Sequence, residues 1–385
     1  MYQSPFLSII LIIFFGNKYE IQIIAYSKLI QSFLFNFSIT TSFQKILILS
    51  MDDEKFMERC ITLARRGLGY TYPNPLVGCV IVYKGKIISE GWHKKAGGAH
   101  AEKEAIDKIK DKSILEKSTL YVNLEPCNHH GKTPPCSDLI LKMKIPKVVL
   151  GTIDYNKKVF NKGINRLREN GCIVVKGILE KECFQLNKRF FTFHKKGRPY
   201  ITLKWAESKD GFMAPKDINE KYWLTQNLSK QIVHKWRTEE QAIMIGVNTA
   251  INDNPRLTSR HWYGNDPTAI IVDPNNRITN EIFLYQNKKK NNLIVINSKN
   301  IGTKNESLEI KKLITLLHKK NIQSLIVEGG QKTLSYFIKN GLWDKARVFK
   351  TERILNDGLV SPILNKNEHT ITTFGSDKLY TYNND

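Results

Sequence analysis

The chain carries, within one short stretch, the residue types that bind zinc and move protons. His100 and Glu102 are two residues apart, Cys127 follows a Glu-Pro pair, and Cys136 comes nine residues later. Zinc takes nitrogen and sulfur ligands tetrahedrally, and a catalytic zinc keeps one of its four positions open for water. We therefore expect His100, Cys127 and Cys136 to be the three protein ligands. Glu102 is expected to carry protons and not to bind the metal.

This arrangement is typical of zinc-dependent nucleobase deaminases, in which a glutamate beside the zinc acts as general acid and base. Two alternatives stay open. A structural zinc site would use four protein ligands, with closely spaced cysteine pairs, but the chain has no Cys-x-x-Cys. Burial as an inert thiol is the other alternative, and we expect it for the remaining four cysteines: Cys60, Cys79, Cys172 and Cys183.

The spacing of the two cysteines carries more information than their presence. Deaminases usually place two residues between these cysteines, whereas eight stand between Cys127 and Cys136. The segment Glu-Pro-Cys-Asn-His-His-Gly-Lys-Thr-Pro-Pro-Cys resembles a signature of the bifunctional deaminase-reductases of riboflavin biosynthesis. The resemblance implies one Zn²⁺ per deaminase site and places His129 and His130 in a substrate loop. Zinc binding by either histidine stays an alternative.

Further segments extend this resemblance over nearly the whole chain from Met51 onward. They are Tyr-Pro-Asn-Pro-Leu-Val-Gly-Cys from Tyr72 and Glu-Gly-Trp-His ending at His93. The resemblance implies that Asn74 and His93 help to hold a pyrimidine. For Asn74 the alternative is a backbone role, because asparagine is favoured in turns such as Pro-Asn-Pro.

The pattern of apolar residues predicts the elements that must hold the zinc site. Opening a helix at His100 would keep His100 and Glu102 together near its N-terminus, and a strand ending at Asn123 would deliver Cys127. Strands alternating with helices predict a three-layer α/β fold. Strands are predicted at 77–82, 86–89, 119–123 and 147–150, and helices from Met51, over 100–110 and over 136–141.

Three later segments resemble the reductase half of the same family. They begin at Lys204, Asn252 and Ser324, and the last one runs as a strand into Gly329 and Gly330. Glycines ahead of a helix leave backbone N–H groups open to a pyrophosphate. A Rossmann dehydrogenase is not supported, because the chain has no Gly-x-Gly-x-x-Gly.

The resemblance implies NADPH as the hydride donor and assigns residues to two groups. The cofactor-binding group is Ala206, Trp223, Thr249, Asp253 and Gly330, and the substrate-binding group is Lys221, Arg237, Leu257, Arg260 and Glu328. For Trp223 the alternative is a core aromatic.

Two departures from the family pattern bear on whether the reductase half is active. Lys209 stands where the family has a small aliphatic residue, and the polar end of the chain after Asp377 predicts a short or missing last strand. A relic with only one working activity is therefore an alternative.

The implied fold class is α/β: an N-terminal cytidine-deaminase-like three-layer α/β/α domain followed by a C-terminal dihydrofolate-reductase-like α/β domain. We expect residues 1–50 to be an upstream extension outside the fold, 51–196 the deaminase domain and 197–385 the reductase domain.

The apolar run 5–15 is too short to span a bilayer. A signal peptide would have a Lys or Arg before its apolar run, and none precedes this one. A leader or organelle-targeting segment is the alternative reading of residues 1–50.

Composition limits the partners. The 385 residues carry a formal net charge of +23, with 41% hydrophobic residues, which suits two ordinary domains. The basic residues are scattered without aromatic interleaving, so we expect a phosphate-bearing small molecule as partner, with no nucleic acid and no membrane.

Six cysteines without a repeated framework indicate a reducing, cytoplasmic setting. We also expect a homo-oligomer.

The predicted reaction sequence has two steps. The first is zinc-dependent hydrolytic deamination of 2,5-diamino-6-(5-phosphoribosylamino)pyrimidin-4(3H)-one. The second is NADPH-dependent reduction of the ribosyl side chain, which gives 5-amino-6-(5-phosphoribitylamino)uracil. The rivals are a tRNA adenosine or free-base deaminase, which leaves residues 197–385 unexplained, and a basic nucleic-acid-binding protein.

Overall fold

The computed structural model describes residues 41–128, 134–156, 159–216, 222–287, 293–301, 303–304 and 307–384. The chain forms two compact units, Met1–Met51 and Asp52–Asp385. Helix α1 spans Thr41–Arg65, so the prediction of a helix starting at Met51 is wrong about its start. No Pro or Gly lies between Thr41 and Arg65, and the sequence therefore contains no residue that would stop the helix at Met51.

The N-terminal half of the second unit is built on a five-stranded sheet in the order β2-β1-β3-β4-β5. Strand β1 is antiparallel to β2 and β3, and β3, β4 and β5 are parallel. The strands are β1 (Gly78–Tyr83), β2 (Lys86–Trp92), β3 (Thr119–Leu124), β4 (Lys147–Thr152) and β5 (Ile173–Lys176). The helices after α1 are α2 (Ala101–Asp107), α3 (Cys136–Lys142), α4 (Lys162–Glu169), α5 (Glu180–Leu186) and α6 (Lys188–Lys196).

The two faces of this sheet contribute to separate apolar cores. Cys79 and Ile81 pack in a core with α2, α3 and α4, whereas Val80 and Val82 pack in another with α1. Successive side chains of a strand point to opposite faces, so β1 is buried on both sides and the three-layer prediction is confirmed. The predicted strands are all present. The predicted helix over 100–110 ends earlier, at Asp107, and a 3₁₀ turn follows at Lys112–Lys117.

The C-terminal half is built on an eight-stranded sheet in the order β10-β9-β8-β13-β6-β14-β17-β16. The strands are β6 (Tyr200–Glu207), β8 (Ala242–Gly246), β9 (Thr268–Val272), β10 (Leu293–Ile296), β13 (Ser324–Val327), β14 (Lys345–Lys350), β16 (Thr370–Phe374) and β17 (Asp377–Asn383). Two small ribbons pair β7 (Phe212–Pro215) with β15 (Gly358–Val360), and β11 (Thr303–Lys304) with β12 (Ser307–Leu308). The helices are α7 (Asn227–Glu239), α8 (Val247–Asp253), α9 (Phe283–Asn287), α10 (Ser298–Ile301), α11 (Ile310–Lys319) and α12 (Gln331–Lys339). Within the described residues, every helix is too short or too polar to cross a membrane.

The prediction of a short or missing last strand is wrong. Strand β17 pairs along its whole length with β14 and also with β16. Asp377 is buried at its start, where it accepts hydrogen bonds from the Gln226 backbone N–H and the Ser229 hydroxyl at the N-terminus of α7. The segment looks too polar to be a strand because its first inward-facing residue, Asp377, is a carboxylate. Its hydrogen-bond donors on α7 come close only when the chain is folded.

Lys209 lies in the loop after β6 with its side chain at the surface. Its ammonium is 3.2 Å from a carboxylate oxygen of Glu352, and its backbone N–H donates to the carbonyl of Arg353. Since the side chain meets solvent and an acidic partner, the lysine fits this loop without displacing the strand before it.

The two halves of the second unit meet through a buried ion pair. The guanidinium of Arg189, on α6, donates to both carboxylate oxygens of Glu240, which follows α7, at 2.9 and 2.6 Å. The Glu240 side chain is fully buried and that of Arg189 is 14% exposed. Nearby, the Tyr72 hydroxyl donates to the carbonyl of Glu239. The domain boundary after residue 196 stays a prediction; α6 ends there, and Gly197 follows in a left-handed conformation with φ of 62°.

Arg189→Met leaves the buried Glu240 carboxylate without its cation, so we expect it to lower the free energy of unfolding by about 3 kcal/mol. Urea unfolding of the full chain measures the change. Arg166→Met is the matched control, because Arg166 pairs with Asp138 at the surface with side chains 49% and 39% exposed. We expect that control to cost less than about 0.5 kcal/mol. Equal effects of the two variants would contradict the importance of the buried pair.

Candidate active sites

The three predicted zinc ligands come together in the structure. His100 Nδ1 lies 3.2 Å from Cys136 Sγ and 3.5 Å from Cys127 Sγ. All three donor atoms lie within 4.8 Å of one another, and within the described chain this is the group of His, Cys, Asp and Glu residues that could hold a metal. His129 and His130 lie outside the described residues.

Each ligand stands at the end of a regular element. His100 is the N-cap of α2, with extended backbone angles of φ −73° and ψ 159°. Cys127 follows the C-terminal end of β3, and Cys136 is the first residue of α3 after Pro135, as predicted. The Cys136 backbone N–H donates to Cys127 Sγ at 3.3 Å, and the Ser137 N–H donates to the Cys127 carbonyl at 3.1 Å. The start of α3 therefore orients both cysteines.

The donor set fits zinc. Around a tetrahedral zinc, a nitrogen and a sulfur ligand stand about 3.5 Å apart, which is close to the two separations from His100 Nδ1. The hydrogen bond from the Cys136 thiol, followed by that from His100, lowers the pKa of Cys127. The same hydrogen bond, with burial, raises the pKa of Cys136, so this pair favours a thiolate at Cys127, and the thiolate is the form of cysteine that binds metal. Three ligands leave a fourth position, as a catalytic zinc requires.

Glu102 lies beside these ligands and is 3% exposed. It is the second residue of α2, so one helix start carries both His100 and this carboxylate. Burial raises its pKa. A carboxylate at this place can act as a general acid and base toward a group bound in the site.

Asn74 and His93 form a hydrogen-bonded pair next to the ligands. His93 Nδ1 lies 2.9 Å from the carbonyl of Ala99, and Asn74 Nδ2 lies 3.0 Å from His93 Nε2. Because a carbonyl only accepts, the proton belongs on Nδ1, and Nε2 accepts from Asn74. Burial lowers the pKa of His93, which favours this neutral form. Its ring meets that of His100 edge to face at 5.5 Å.

These residues line one cavity of about 290 Å³, which also contains Glu102 and Cys127. The sequence reasoning missed Asp154, which lines the same cavity and whose pKa burial raises to about 7. Asp154 follows β4, the parallel neighbour of β3. A polar residue at the C-terminal end of a parallel strand was the available signal, since ligands bind at that edge of α/β sheets.

The predicted reductase residues divide into two groups, of which the first surrounds the start of α12. Gly330 is the N-cap of α12 and has φ of 69°. A Cβ on Gly330 would lie 3.2 Å from Thr249 Oγ1, and one on Gly329 would lie 2.6 Å from a side-chain atom of Ile245. The glycines let the backbone at this helix N-terminus approach Ile245 and Thr249 closely, and backbone N–H groups at a helix start favour phosphate oxygens. This glycine cradle suits the pyrophosphate of a dinucleotide.

The second group includes a charged cluster in which Glu328, just after β13, meets Arg237 of α7 and Lys204 of β6. Arg237 donates to both carboxylate oxygens of Glu328 at 3.0 and 2.7 Å, with side chains only 13% and 7% exposed. Burial opposes ionisation of Glu328, but Arg237 and then Lys204 outweigh it and lower the pKa to about 2. Lys204 was missed, although a charge within the apolar run of β6 was a visible signal.

Arg260 lies beside this cluster on an open cleft of about 750 Å³ that also contains Arg256, Thr258 and Ser259. Burial lowers the pKa of Arg260, and the charges of Arg237 and Arg256 lower it further. Three guanidinium groups thus crowd one region, and an anion would relieve their repulsion.

The remaining predicted residues lie at several places. Ala206 and Leu257 pack against one apolar core, and Asp253, the last residue of α8, is exposed. Trp223 is 51% exposed and lines a surface cleft with Lys230 and Arg353, so the core-aromatic alternative is wrong. Lys221 lies outside the described residues.

Two family models match successive parts of the chain. The one described as the cytidine and deoxycytidylate deaminase zinc-binding region matches residues 50–152, and the RibD C-terminal domain matches residues 199–358. Riboflavin biosynthesis protein RibD of Aquifex aeolicus (strain VF5) is 38% identical over 319 residues, which cover 80% of this chain and 89% of that protein. The protein of the same name from Escherichia coli (strain K12) is 33% identical over 330 residues, covering 79% and 89%. The chain belongs to the RibD family of riboflavin biosynthesis proteins.

Solved structures agree with this membership. The diaminohydroxyphosphoribosylaminopyrimidine deaminase/5-amino-6-(5-phosphoribosylamino)uracil reductase of Thermotoga maritima has a TM-score of 0.76 at 33% identity and covers 86% of this chain and 98% of its own. RibD of Acinetobacter baumannii has a TM-score of 0.77 at 29% identity, with the same coverage.

The chain is therefore a bifunctional enzyme of riboflavin biosynthesis. Its deaminase domain uses zinc and its reductase domain uses NADPH. The predicted fold class is confirmed. A tRNA adenosine or free-base deaminase does not account for the second half of the chain, which matches the RibD C-terminal domain over residues 199–358.

Cys136→Ser removes one of the three predicted ligands, so we expect bound zinc to fall below about half of the wild-type content. Metal analysis of purified full-length protein measures this. Cys172→Ser is the matched control, since Cys172 is buried and donates to the carbonyl of Ile145 away from the ligands. Unchanged zinc in the Cys136 variant would remove Cys136 from the ligand set.

Proposed function

We propose that this chain deaminates 2,5-diamino-6-(5-phosphoribosylamino)pyrimidin-4(3H)-one and then reduces the ribosyl side chain of the product to ribityl. The observation that carries the proposal is the cavity that joins the His100, Cys127 and Cys136 cluster to Glu102, Asn74 and His93. It lies in a chain whose second half is a RibD reductase domain. The Thermotoga maritima structure is described with this same pair of activities.

In the deaminase half, His100, Cys127 and Cys136 would hold one zinc ion. When bound, zinc supplies the Lewis acidity that activates a water molecule near neutral pH. Glu102 would take a proton from the attacking water and return it to the departing amine. Its position in the same cavity as His100 and Cys127 supports this role, and burial raises its pKa.

Asn74 and His93 would position the pyrimidine. The hydrogen bond from Asn74 Nδ2 occupies the acceptor nitrogen of His93, so the amide oxygen of Asn74 remains the group suited to a ring N–H or amino donor. Both side chains line the cavity that contains Glu102, which supports contact with the group that is removed.

In the reductase half, when bound, NADPH supplies the hydride. We propose that Ala206, Trp223, Thr249, Asp253 and Gly330 bind the cofactor and that Lys221, Arg237, Leu257, Arg260 and Glu328 bind the substrate. The glycine cradle at α12 supports the first group and the cleft with its arginines supports the second. Arginine suits phosphate because its fork pairs with two oxygens.

We further propose domains at 51–196 and 197–385, with residues 1–50 outside the fold, and a homo-oligomer located in the cytoplasm. The six cysteines, all free thiols, support a reducing compartment.

Mass spectrometry of the products, with zinc-loaded full-length chain and the diaminopyrimidine substrate, tests both steps. We expect the deaminated ribosyl compound without NADPH and the ribityl compound with it. Deamination alone would mean that the reductase half is a relic. No conversion by folded, zinc-loaded protein would overturn the proposal.

Glu102→Gln removes the proton carrier while keeping the shape of the side chain. We expect deamination to fall by about a thousandfold, with zinc content unchanged. Glu104→Gln is the control on the same helix, because Glu104 bonds to the Trp92 N–H and to Lys94. Near-normal turnover by the Glu102 variant would remove this residue from the mechanism.

Asp253→Ala tests the cofactor assignment. We expect the KM for NADPH to rise about tenfold, because one charged hydrogen bond is lost. The rate of deamination should stay unchanged. Asp357→Ala, in which an exposed ion pair to Lys216 is lost, serves as the control. Loss of both activities in the Asp253 variant would indicate a folding defect and contradict a local role.

A further inference from the structure

One strand of the reductase half reaches both active sites. Strand β13 is followed by Glu328 and Gly330, which belong to the predicted reductase site. At its other end it is preceded by Gln323, which lines the deaminase cavity with His100 and Glu102. Asn321 from the same loop lines this cavity as well. The deaminase cavity therefore has a wall that the deaminase half does not supply.

The backbone of Gln323 is anchored within the reductase half. Its N–H donates to the side-chain oxygen of Gln241 at 2.7 Å, and its carbonyl accepts from the Tyr200 N–H at 2.9 Å. Only the side chain crosses to the deaminase half, where Nε2 donates to the carbonyl of Pro73 at 2.7 Å. Gln323 is 2% exposed, so this hydrogen bond is shielded from water.

The carbonyl that Gln323 holds belongs to the residue before Asn74. Prolines on both sides of Asn74 fix two φ angles in this loop, and the Asn74 N–H donates to the Thr71 carbonyl at 2.7 Å. A shift of Pro73 therefore moves Asn74, whose Nδ2 meets His93 Nε2 at 3.0 Å.

The second polar atom of the Gln323 side chain is Oε1. It is buried and has no hydrogen-bond partner among the residues that the structure describes. A buried amide oxygen costs free energy until it is paired, and the Gln323 residue lines the deaminase cavity.

We propose that Gln323 is a positioning residue of the deaminase that the reductase half supplies. Its Nε2 holds the Pro73–Asn74–Pro75 loop, and the residue forms part of the cavity wall. The proposal rests on the proposed role of Asn74 and His93 in binding the pyrimidine. It also gives a physical reason for keeping both activities on one chain, since the first site is incomplete without the second half.

Gln323→Met keeps the length of the side chain and removes its hydrogen bonds. For the zinc-loaded full chain we expect the KM for deamination to rise about fivefold, the loss of roughly one buried hydrogen bond. The kcat should change by less than about twofold, because binding lost equally in ground state and transition state affects KM alone. Reduction of the deaminated substrate and zinc content should match wild type. Gln323→Ala should raise KM at least as much.

Ser324→Ala is the matched control. Ser324 is the next residue, is fully buried and donates to the Tyr72 hydroxyl across the same interface at 2.9 Å. The cavity lining does not include it, so its KM should match wild type. An unchanged KM in both Gln323 variants, or an equal rise in the Ser324 variant, would overturn the proposal while the proposed function stands. A wild-type chain without deaminase activity would instead overturn the function itself.

Discussion

The carboxylate of Glu125 organises the loops from which the zinc ligands project. It lies between the end of β3 and Cys127, and it accepts hydrogen bonds from the backbone N–H groups of Asp154, Asn161, Gly163 and Ile164. A charged acceptor that collects several backbone donors in a buried place is among the strong hydrogen-bonding arrangements in proteins. Gly163 comes so close that a Cβ there would overlap the carbonyl of Pro126. The loop that carries Cys127 is thereby tied to the end of β4 and the start of α4.

The deaminase groups converge because they all lie at one edge of the five-stranded sheet. His100 and Cys136 begin helices, and Cys127 and Asp154 follow the ends of β3 and β4. Helix starts and the C-terminal ends of parallel strands meet at one side of an α/β sheet. The reductase half repeats this solution, since Glu328 and Gly330 follow β13 and Thr249 lies on the helix after β8.

The deaminase and reductase halves are joined by polar groups that are buried away from solvent. Arg189 and Glu240 form the buried pair, and Tyr72, Pro73, Gln323 and Ser324 make direct hydrogen bonds across the junction. Buried polar groups of this kind are costly when a partner is missing, so they favour one relative placement of the halves. That placement puts the start of β13 at the deaminase cavity and its end at the reductase site.

Much of the fold and of the zinc site was readable from local patterns. Runs of apolar residues predicted four strands of the first sheet but not β5, and the His-x-Glu, Pro-Cys and later Cys spacing predicted the three ligand residues that the structure brings together. The errors were also local. The start of α1 was placed too late, at Met51, although no Pro or Gly interrupts the chain between Thr41 and Met51, and β17 was underestimated because Asp377 faces inward to partners on α7.

The amino-acid sequence by itself determined the donor types, their order and the elements that present them, because zinc chemistry and strand or helix periodicity depend on residue identity and spacing. Only the tertiary structure decided which groups share a cavity. Gln323 is an ordinary polar residue in the chain, 250 positions from the proline carbonyl that it holds. Contacts between residues so far apart follow from how sheets and domains pack, which no local pattern encodes.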